Sequence, residues 1–444
     1  MSRLFGTDGI RGISPSELSP SLAMKTAQAL GTLLCQEGKR ATVIIGHDTR
    51  ISSHMLSCAM ISGLCSVGVQ SQYIGTAPTP AVAYLTRKHR ADAGIVISAS
   101  HNPFEYNGIK IFTSDGYKLP DELEERIEAL VCSDIPPASS KNVGICVDKK
   151  ELLSEYLDYL RAICPESLDS LKIAIDCSNG AWSYHAKELF SSLGASCYML
   201  NCSPNGFNIN DSCGATSVGA LQRFVSEHSL DAGIAFDGDA DRLIAVDEHA
   251  CAVDGDMIMA SLAYDMKKRG ALVKSTVVGT VMTNFGFSAF CDENDIRFIP
   301  AKVGDRYVLE EMLLGGYCFG GEQSGHLIFG EYSTTGDGAL SAIMLLSLMK
   351  RKSLPLSTLH SVMHKYPQIL INIEADENQK LRFLTSDKIK TALEEAKELL
   401  STNGRLLVRP SGTEKLIRVM VEHKSEHLAE QIAHSVCEKI RKEL

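Results

Sequence analysis

The sequence predicts an α/β protein with three similar mixed α/β domains and a smaller C-terminal α+β domain. Three observations carry that prediction. A chain of 444 residues exceeds what one hydrophobic core serves, and about 100–200 residues per domain gives three or four domains. Hydrophobic residues make up 44% and charged residues 22%, so apolar material suffices for several cores. Finally, a strand, a polar loop, a helical segment and a second strand ending in another polar loop recur three times, the pattern of mostly parallel sheets.

In the first unit, residues 1–155, Thr42–Ile45 runs into Gly46-His47-Asp48-Thr49-Arg50. A helical pattern covers Met55–Val67, and the apolar strand Gly94–Ile97 ends at Ser98-Ala99-Ser100-His101-Asn102-Pro103. In the second, residues 156–253, Lys172–Ile175 leads through a helical Ala186–Leu193 to Ala232–Phe236. That strand ends in Asp237-Gly238-Asp239-Ala240-Asp241-Arg242. In the third, residues 254–366, strands are expected at Ser275–Val278 and Gly316–Phe319, the latter ending in Gly320-Gly321-Glu322-Gln323-Ser324-Gly325-His326.

After Tyr366-Pro367 the texture changes. Strands at Ile369–Ile373, Leu406–Val408 and Leu416–Glu422 alternate with helices at Ser386–Leu400, capped by Ser386, and His427–Leu444. This is the α+β fourth domain, residues 367–444. Ligands of parallel sheets gather at the C-terminal ends of strands, so the three loops form a site wherever the units face one another.

Composition excludes several function classes. The net charge is -10, which disfavours a nucleic-acid partner. An anion site must then be a short cluster of Arg, Lys and backbone N–H groups. The 14 cysteines show no CxxC pair, as suits reduced thiols in a cytoplasmic protein rather than a disulfide frame or zinc site. No stretch reaches the roughly 18 apolar residues of a membrane span, so no membrane partner is expected.

Two readings of the SASHNP loop stand on local chemistry: a turn favoured by Ser, Asn and Pro, or a hydroxyl held where chemistry happens. In DGDADR, three alternating carboxylates, Asp237, Asp239 and Asp241, can converge on one hard cation, and an acidic solvated turn is the alternative. An EF-hand is excluded, because Arg242 stands where the calcium loop needs Gly and both flanks read as strands. Asp254-Gly255-Asp256 lacks a third carboxylate and suits a helix cap.

Arg409-Pro410-Ser411-Gly412-Thr413-Glu414, with Arg418 beyond, offers hydroxyls, backbone amides and guanidinium forks to a phosphate, or is a plain hairpin turn. In GGEQSGH, Glu322 and Ser324 can hydrogen-bond sugar hydroxyls and His326 can contact a phosphate. The loop lacks the first glycine of a serine-hydrolase elbow. No P-loop and no GxGxxG occurs, and Arg11 in the Gly-rich N-terminal stretch can reach a phosphate.

A serine hydroxyl, a carboxylate trio and phosphate-gripping arginines suit phosphoryl transfer, which needs positioning and charge neutralisation above all. Ser100 would accept and donate the phosphoryl group, with His101, Lys110 and Arg242 managing protons or charge. Without an ATP site, the phosphoryl group must come from the substrate or an intermediate.

Taken in order, FGTDGIRG, GHDTR, SASHNP with NGIKIF, DGDADR, GEQSGH and RPSGTE span essentially the whole chain. This set resembles the α-D-phosphohexomutase superfamily, most closely its bacterial phosphoglucosamine mutase branch. The branch rests on Gln323, where phosphomannomutase/phosphoglucomutase enzymes carry Met, and on Asn208-Ile209-Asn210 with Cys213-Gly214-Ala215-Thr216. Two departures are His47, commonly Lys, and Ser53-His54, commonly Gly-Tyr.

The resemblance implies four domains around a central active-site cleft, each giving one loop. It implies that Ser100 must be phosphorylated for activity and that Asp237, Asp239 and Asp241 bind one Mg²⁺ together with the phosphoserine. Glu322 and Ser324 would contact sugar hydroxyls, and Arg409, Ser411, Gly412, Thr413 and Arg418 would grip the phosphate not being transferred. The implied reaction interconverts glucosamine 6-phosphate and glucosamine 1-phosphate through a glucosamine 1,6-bisphosphate that turns around in the cleft, supplying UDP-N-acetylglucosamine for cell-wall polymers. The partner is thus a small hexosamine phosphate. The rival readings are a phosphomannomutase/phosphoglucomutase and a non-catalytic sugar-phosphate-binding protein.

Overall fold

The structure, a computed structural model, describes residues 4–6, 8–35, 40–401, 403–411 and 415–444. Its contacts divide the chain into two compact units, Met1–Met282 with Ile296–Val362, and Thr283–Asp295 with Met363–Leu444.

The first unit holds three sheets. The first contains β1 (Ile10–Ile13), β2 (Thr42–His47), β3 (Gln70–Thr76), β4 (Ala93–Ile97), β5 (Tyr106–Thr113) and β6 (Cys146–Asp148), in spatial order β1-β5-β4-β2-β3-β6. The second contains β7 (Lys172–Asp176), β8 (Ser196–Leu200), β9 (Ala232–Phe236), β10 (Leu243–Asp247) and β11 (Ala252–Val253), in order β11-β10-β9-β7-β8. The third contains β12 (Thr276–Thr280), β13 (Arg297–Ala301), β14 (Phe319–Gly321) and β15 (Leu327–Phe329), in order β13-β12-β14-β15.

One device recurs in all three. Parallel strands fill the middle, and the last of them pairs antiparallel with the strand that follows it: β4 with β5, β9 with β10, and β14 with β15. The sequence pattern suggested mostly parallel sheets; the reversal follows from loop length. The SASHNP, DGDADR and GEQSGH loops are far shorter than the dozen or more residues a parallel crossover needs, so the chain must turn back. Each chemically loaded loop is therefore a hairpin tip at the C-terminal end of a parallel strand.

Central strands are buried on both faces. All residues of β4, β9 and β10 are buried, which is why they read as continuous apolar runs rather than alternating ones. In the first domain Val43, Ile45, Ile95 and Ile97 pack on Ala27, Leu30, Met60 and Leu64 of helices Pro20–Leu34 and Ser53–Ser66. Such burial is the main stabilising term, about 25 cal/mol per Å² of apolar surface.

One boundary differs from the pattern reading. Residues 316–318 do not extend β14, because Gly316 is left-handed (φ 62) and caps helix Asp305–Gly315, its amide and that of Tyr317 bonding back to Leu313 and Met312. The strand begins only at Phe319. Asp254 is a helix cap, as expected, its side chain accepting from the Met257 amide at 3.1 Å.

The second unit is an antiparallel sheet of β16 (Gln368–Glu374), β17 (Gly404–Pro410) and β18 (Leu416–His423), in order β16-β18-β17. Helices Asp387–Leu400 and Glu426–Glu443 cover it over a core that includes Ile417, Val419, Val421, Leu400, Ile432 and Val436. Helix Phe285–Glu293 joins this unit because buried Glu422 accepts from the Phe285 amide (3.0 Å), Asn284 (3.2 Å) and Arg405 (2.6 Å).

Candidate active site

Ser100 is fully buried and left-handed (φ 53), a strained backbone that persists only where the surroundings impose it. Those surroundings are a scaffold built from GHDTR. Asp48, fully buried, accepts from Arg50 Nε (2.8 Å), Ser53 Oγ (2.5 Å), Ser98 Oγ (2.6 Å) and the Arg50 amide (3.0 Å). Arg50, so oriented, donates to three carbonyls of the SASHNP loop, those of Ser100 (2.9 Å), Asn102 (2.9 Å) and Pro103. Asn210 donates to the first two of these carbonyls at 2.9 and 3.0 Å. Gly238 closes against the same loop: a Cβ there would lie 2.5 Å from the Ser100 carbonyl oxygen, so only glycine lets the two hairpin tips meet.

The Ser100 hydroxyl donates to Asp237 Oδ2 at 2.5 Å. Asp237, Asp239 and Asp241 are all buried, and one oxygen of each lies within 4.8 Å of the others. Thr79 Oγ1 donates to Asp239 Oδ2 (2.6 Å), and Lys110 Nζ lies 2.7 Å from Asp239 and 3.1 Å from Asp241. Burial, then the Asp241 and Asp239 charges, push Asp237 up to about 8. Among the described residues Asp239 Oδ1 is buried with no hydrogen-bond partner, a cost that native interiors rarely leave unmet. A hard cation with oxygen preference satisfies that lone pair and relieves the mutual repulsion, so the trio fits Mg²⁺.

Beside the trio opens a cleft of about 320 Å³, walled by Arg11, His101, Asp241, Arg242, Glu322 and His326 among others. His101 Nδ1 lies 3.5 Å from Ser100 Oγ. Burial, then the Arg242 and Arg11 charges, push its pKa down to about 4, so the ring is neutral near pH 7. Lys110 is the opposite case: burial works against its charge, but Asp239, Asp241 and Asp8 outweigh it and hold its pKa well above the ordinary value. Arg11 donates to Asn102 Oδ1 at 2.9 Å and pairs with Asp8. Burial raises Glu322, whose Oε1 accepts from the Gly304 amide at 3.2 Å. Ser324 Oγ is buried and has no partner among the described residues. The Gly336 amide donates to His326 Nε2 at 2.9 Å, leaving the ring proton on Nδ1, which faces Asp241 at 3.6 Å.

The structure thus gathers Ser100, His101, Lys110, Arg242, the three aspartates, Arg11, Glu322 and His326 in one region of the first unit. Arg409, Ser411 and Arg418 lie in the second unit, at the β17–β18 hairpin, where Arg409 and Arg418 stand directly opposite each other. Lys380 Nζ donates to the Ser411 carbonyl at 2.8 Å. Gly412 and Thr413 lie outside the described residues.

Sequence reasoning missed the supporting groups: Asp48, Arg50, Thr79, Asn210 and Asp8. GHDTR was visible as a motif, but its partners are some fifty positions away and nothing local marks them.

Four family profiles match the chain. They are phosphoglucomutase/phosphomannomutase alpha/beta/alpha domain I over residues 2–135, domain II over 154–252, domain III over 254–366, and the C-terminal domain over 370–439. Among curated relatives, the phosphoglucosamine mutase of Caldanaerobacter subterraneus subsp. tengcongensis is 49% identical, and that of Clostridioides difficile 47%, each alignment covering 100% of both chains. Solved structures share the fold. A phosphoglucomutase/phosphomannomutase family protein from Burkholderia thailandensis superposes with TM-score 0.85 at 21% identity, over 100% of this chain and 98% of that one. The N-acetylphosphoglucosamine mutase of Aspergillus fumigatus, in complex with GlcNAc-6P and magnesium, gives 0.69 at 17%, over 99% and 95%.

Proposed function

The chain belongs to the phosphoglucomutase/phosphomannomutase family, and on that footing we propose that it is an isomerase interconverting glucosamine 6-phosphate and glucosamine 1-phosphate. The phosphoryl group resides on Ser100 between turnovers, and glucosamine 1,6-bisphosphate is the intermediate. The observation that carries the reading is Ser100 Oγ held 2.5 Å from Asp237 within a buried carboxylate trio. The curated relatives, phosphoglucosamine mutases at 44–49% identity, support the substrate class.

In the first transfer the phosphorus–Oγ bond at Ser100 breaks as phosphorus bonds to the sugar O1, and the O1 proton passes to the serine oxygen. The bisphosphate then turns around. The phosphoryl group at O6 returns to Ser100 Oγ, whose proton passes to the departing O6. Atoms and charges balance over the cycle, and no other phosphoryl donor is needed. His101, held neutral and 3.5 Å from Ser100 Oγ, is suited to relay the proton; Lys110, held as a cation, neutralises charge. Asp237, Asp239 and Asp241 would hold Mg²⁺, which when bound offsets the charge of the transferring phosphoryl group. Arg11 and Arg242 offer guanidinium forks to phosphate oxygens, and Glu322 and Ser324 read sugar hydroxyls. Arg409, Ser411, Gly412, Thr413 and Arg418 grip the phosphate that stays on the sugar.

The test is a comparison of kcat/KM for the phosphates of glucosamine, glucose and mannose. Glucosamine is expected to lead; a glucosamine rate far below the glucose rate overturns the substrate assignment.

A further inference from the structure

Lys118 belongs to none of the roles above, yet it lies at a junction of buried charge. Its ammonium is 2.6 Å from Asp8 Oδ1, in the N-terminal loop, and 2.6 Å from Asp305 Oδ2, at the start of helix Asp305–Gly315. These are the two shortest contacts of a closed ring of neighbouring ionisable groups. Asp8 Oδ2 continues to Lys110 (3.5 Å), Lys110 to Asp241 (3.1 Å), Asp241 to His326 (3.6 Å), and His326 Nε2 back to Asp305 (3.4 Å). The ring joins the first, second and third sheets' loops through three carboxylates, two lysines and one imidazole.

Location gives the bridge its consequence. Asp8 and Asp305 both wall the phosphosugar cleft, together with Arg11 and Arg242. Lys118 and Asp305 also line a separate cavity of about 140 Å³ on the other side, with apolar Leu309, Leu313 and Ile328. Lys118 therefore stands in the partition between the two. With its side chain only 15% exposed, the charge it neutralises cannot be screened well by solvent. Without it, two carboxylates facing a dianionic phosphate lose the one ammonium that contacts both. Asp8, which also pairs with Arg11, then holds that guanidinium more tightly and withholds it from phosphate.

We propose that Lys118 is a positioning residue for phosphosugar binding: its Asp8–Asp305 bridge balances the cleft wall and leaves Arg11 available to the substrate phosphate. The inference rests on the functional reading above for the identity of the substrate, not for the presence of an anion.

Steady-state kinetics of three variants test it. Lys118→Met, whose side chain suits the apolar cavity behind, is expected to raise KM for glucosamine 6-phosphate at least about tenfold, with kcat within about threefold. Lys118→Arg restores both parameters to near wild type. The double variant Lys118→Met/Asp305→Asn removes the stranded charge and recovers most of the lost KM, which loss of packing does not allow. Lys118→Met with KM within twofold of wild type, or a double variant no better than the single, overturns the proposal. If the wild type shows no mutase turnover, the functional reading fails. Calorimetric affinity for inorganic phosphate across the same variants then tests the bridge in the same order.

Discussion

Arg50 offers the sharpest test of how the catalytic loop is held. Replacing it by Met keeps the length of the side chain and deletes the guanidinium that donates to the carbonyls of Ser100, Asn102 and Pro103. It also strands Asp48, whose Oδ2 receives Arg50 Nε at 2.8 Å in a site where both side chains are 0% exposed. Hydrogen bonds to charged groups contribute about 1.5–3 kcal/mol each, and breaking a buried ion pair costs about 3–5 kcal/mol. The terms share partners and do not add, so the expected loss is about 4–6 kcal/mol. Set against a typical stability of about 5–15 kcal/mol, that is a large fraction.

Arg50→Lys keeps the charge but not the fork, and should lose about 2–3 kcal/mol. Urea unfolding followed by circular dichroism measures both. Turnover adds a second readout: with Ser100 released from its anchors, a displacement near 1 Å costs about a hundredfold. If Arg50→Met unfolds within about 1 kcal/mol of wild type and keeps turnover within threefold, Arg50 does not organise the loop and the scaffold argument is wrong.

Thr79→Val, which deletes the 2.6 Å hydrogen bond to Asp239 without changing shape, should weaken Mg²⁺ affinity about 10–100-fold; a magnesium titration of activity reads this, and an unchanged midpoint contradicts it. Asp337, buried and bonded to Tyr156 at 2.7 Å, is pushed up to about 6, first by burial. Its folded pKa lies above the unfolded one, so its favourable contribution is complete below about pH 4 and is lost as pH rises through 6. Relative to wild type, Asp337→Asn should gain on the order of 3 kcal/mol between pH 4 and 7; parallel pH dependences of the urea midpoint contradict the assignment.

The fold was legible where one stretch of sequence carries its own physics. Ala232–Phe236 and Leu243–Val246 are short apolar runs that read as buried strands, and the three carboxylates between them suit a cation loop or a solvated turn. Ser386 and Asp254 announced helix starts because a cap acts within three residues. What stayed hidden depends on chain reversal or on distant partners. The antiparallel return after each loop is a matter of loop length, and residues 316–318 were lost to a glycine cap that looks like the start of a strand. Lys118 and Asp305 are 187 positions apart, and each alone is an ordinary surface charge. His47 and Ser53, departures from the family pattern, also gained meaning only in three dimensions. His47 Nε2 lies 2.7 Å from the Tyr73 hydroxyl, and Ser53 supplies one of the donors to Asp48.

The most direct test of the central claim is the intact mass of the protein after incubation with glucosamine 1,6-bisphosphate and removal of the sugar. The account predicts one added phosphoryl group on the wild-type chain, located at Ser100 and discharged by glucosamine 6-phosphate, and none on Ser100→Ala, which should also lack turnover. A Ser100→Ala protein that is still phosphorylated to the same extent, or that retains full mutase turnover, contradicts it.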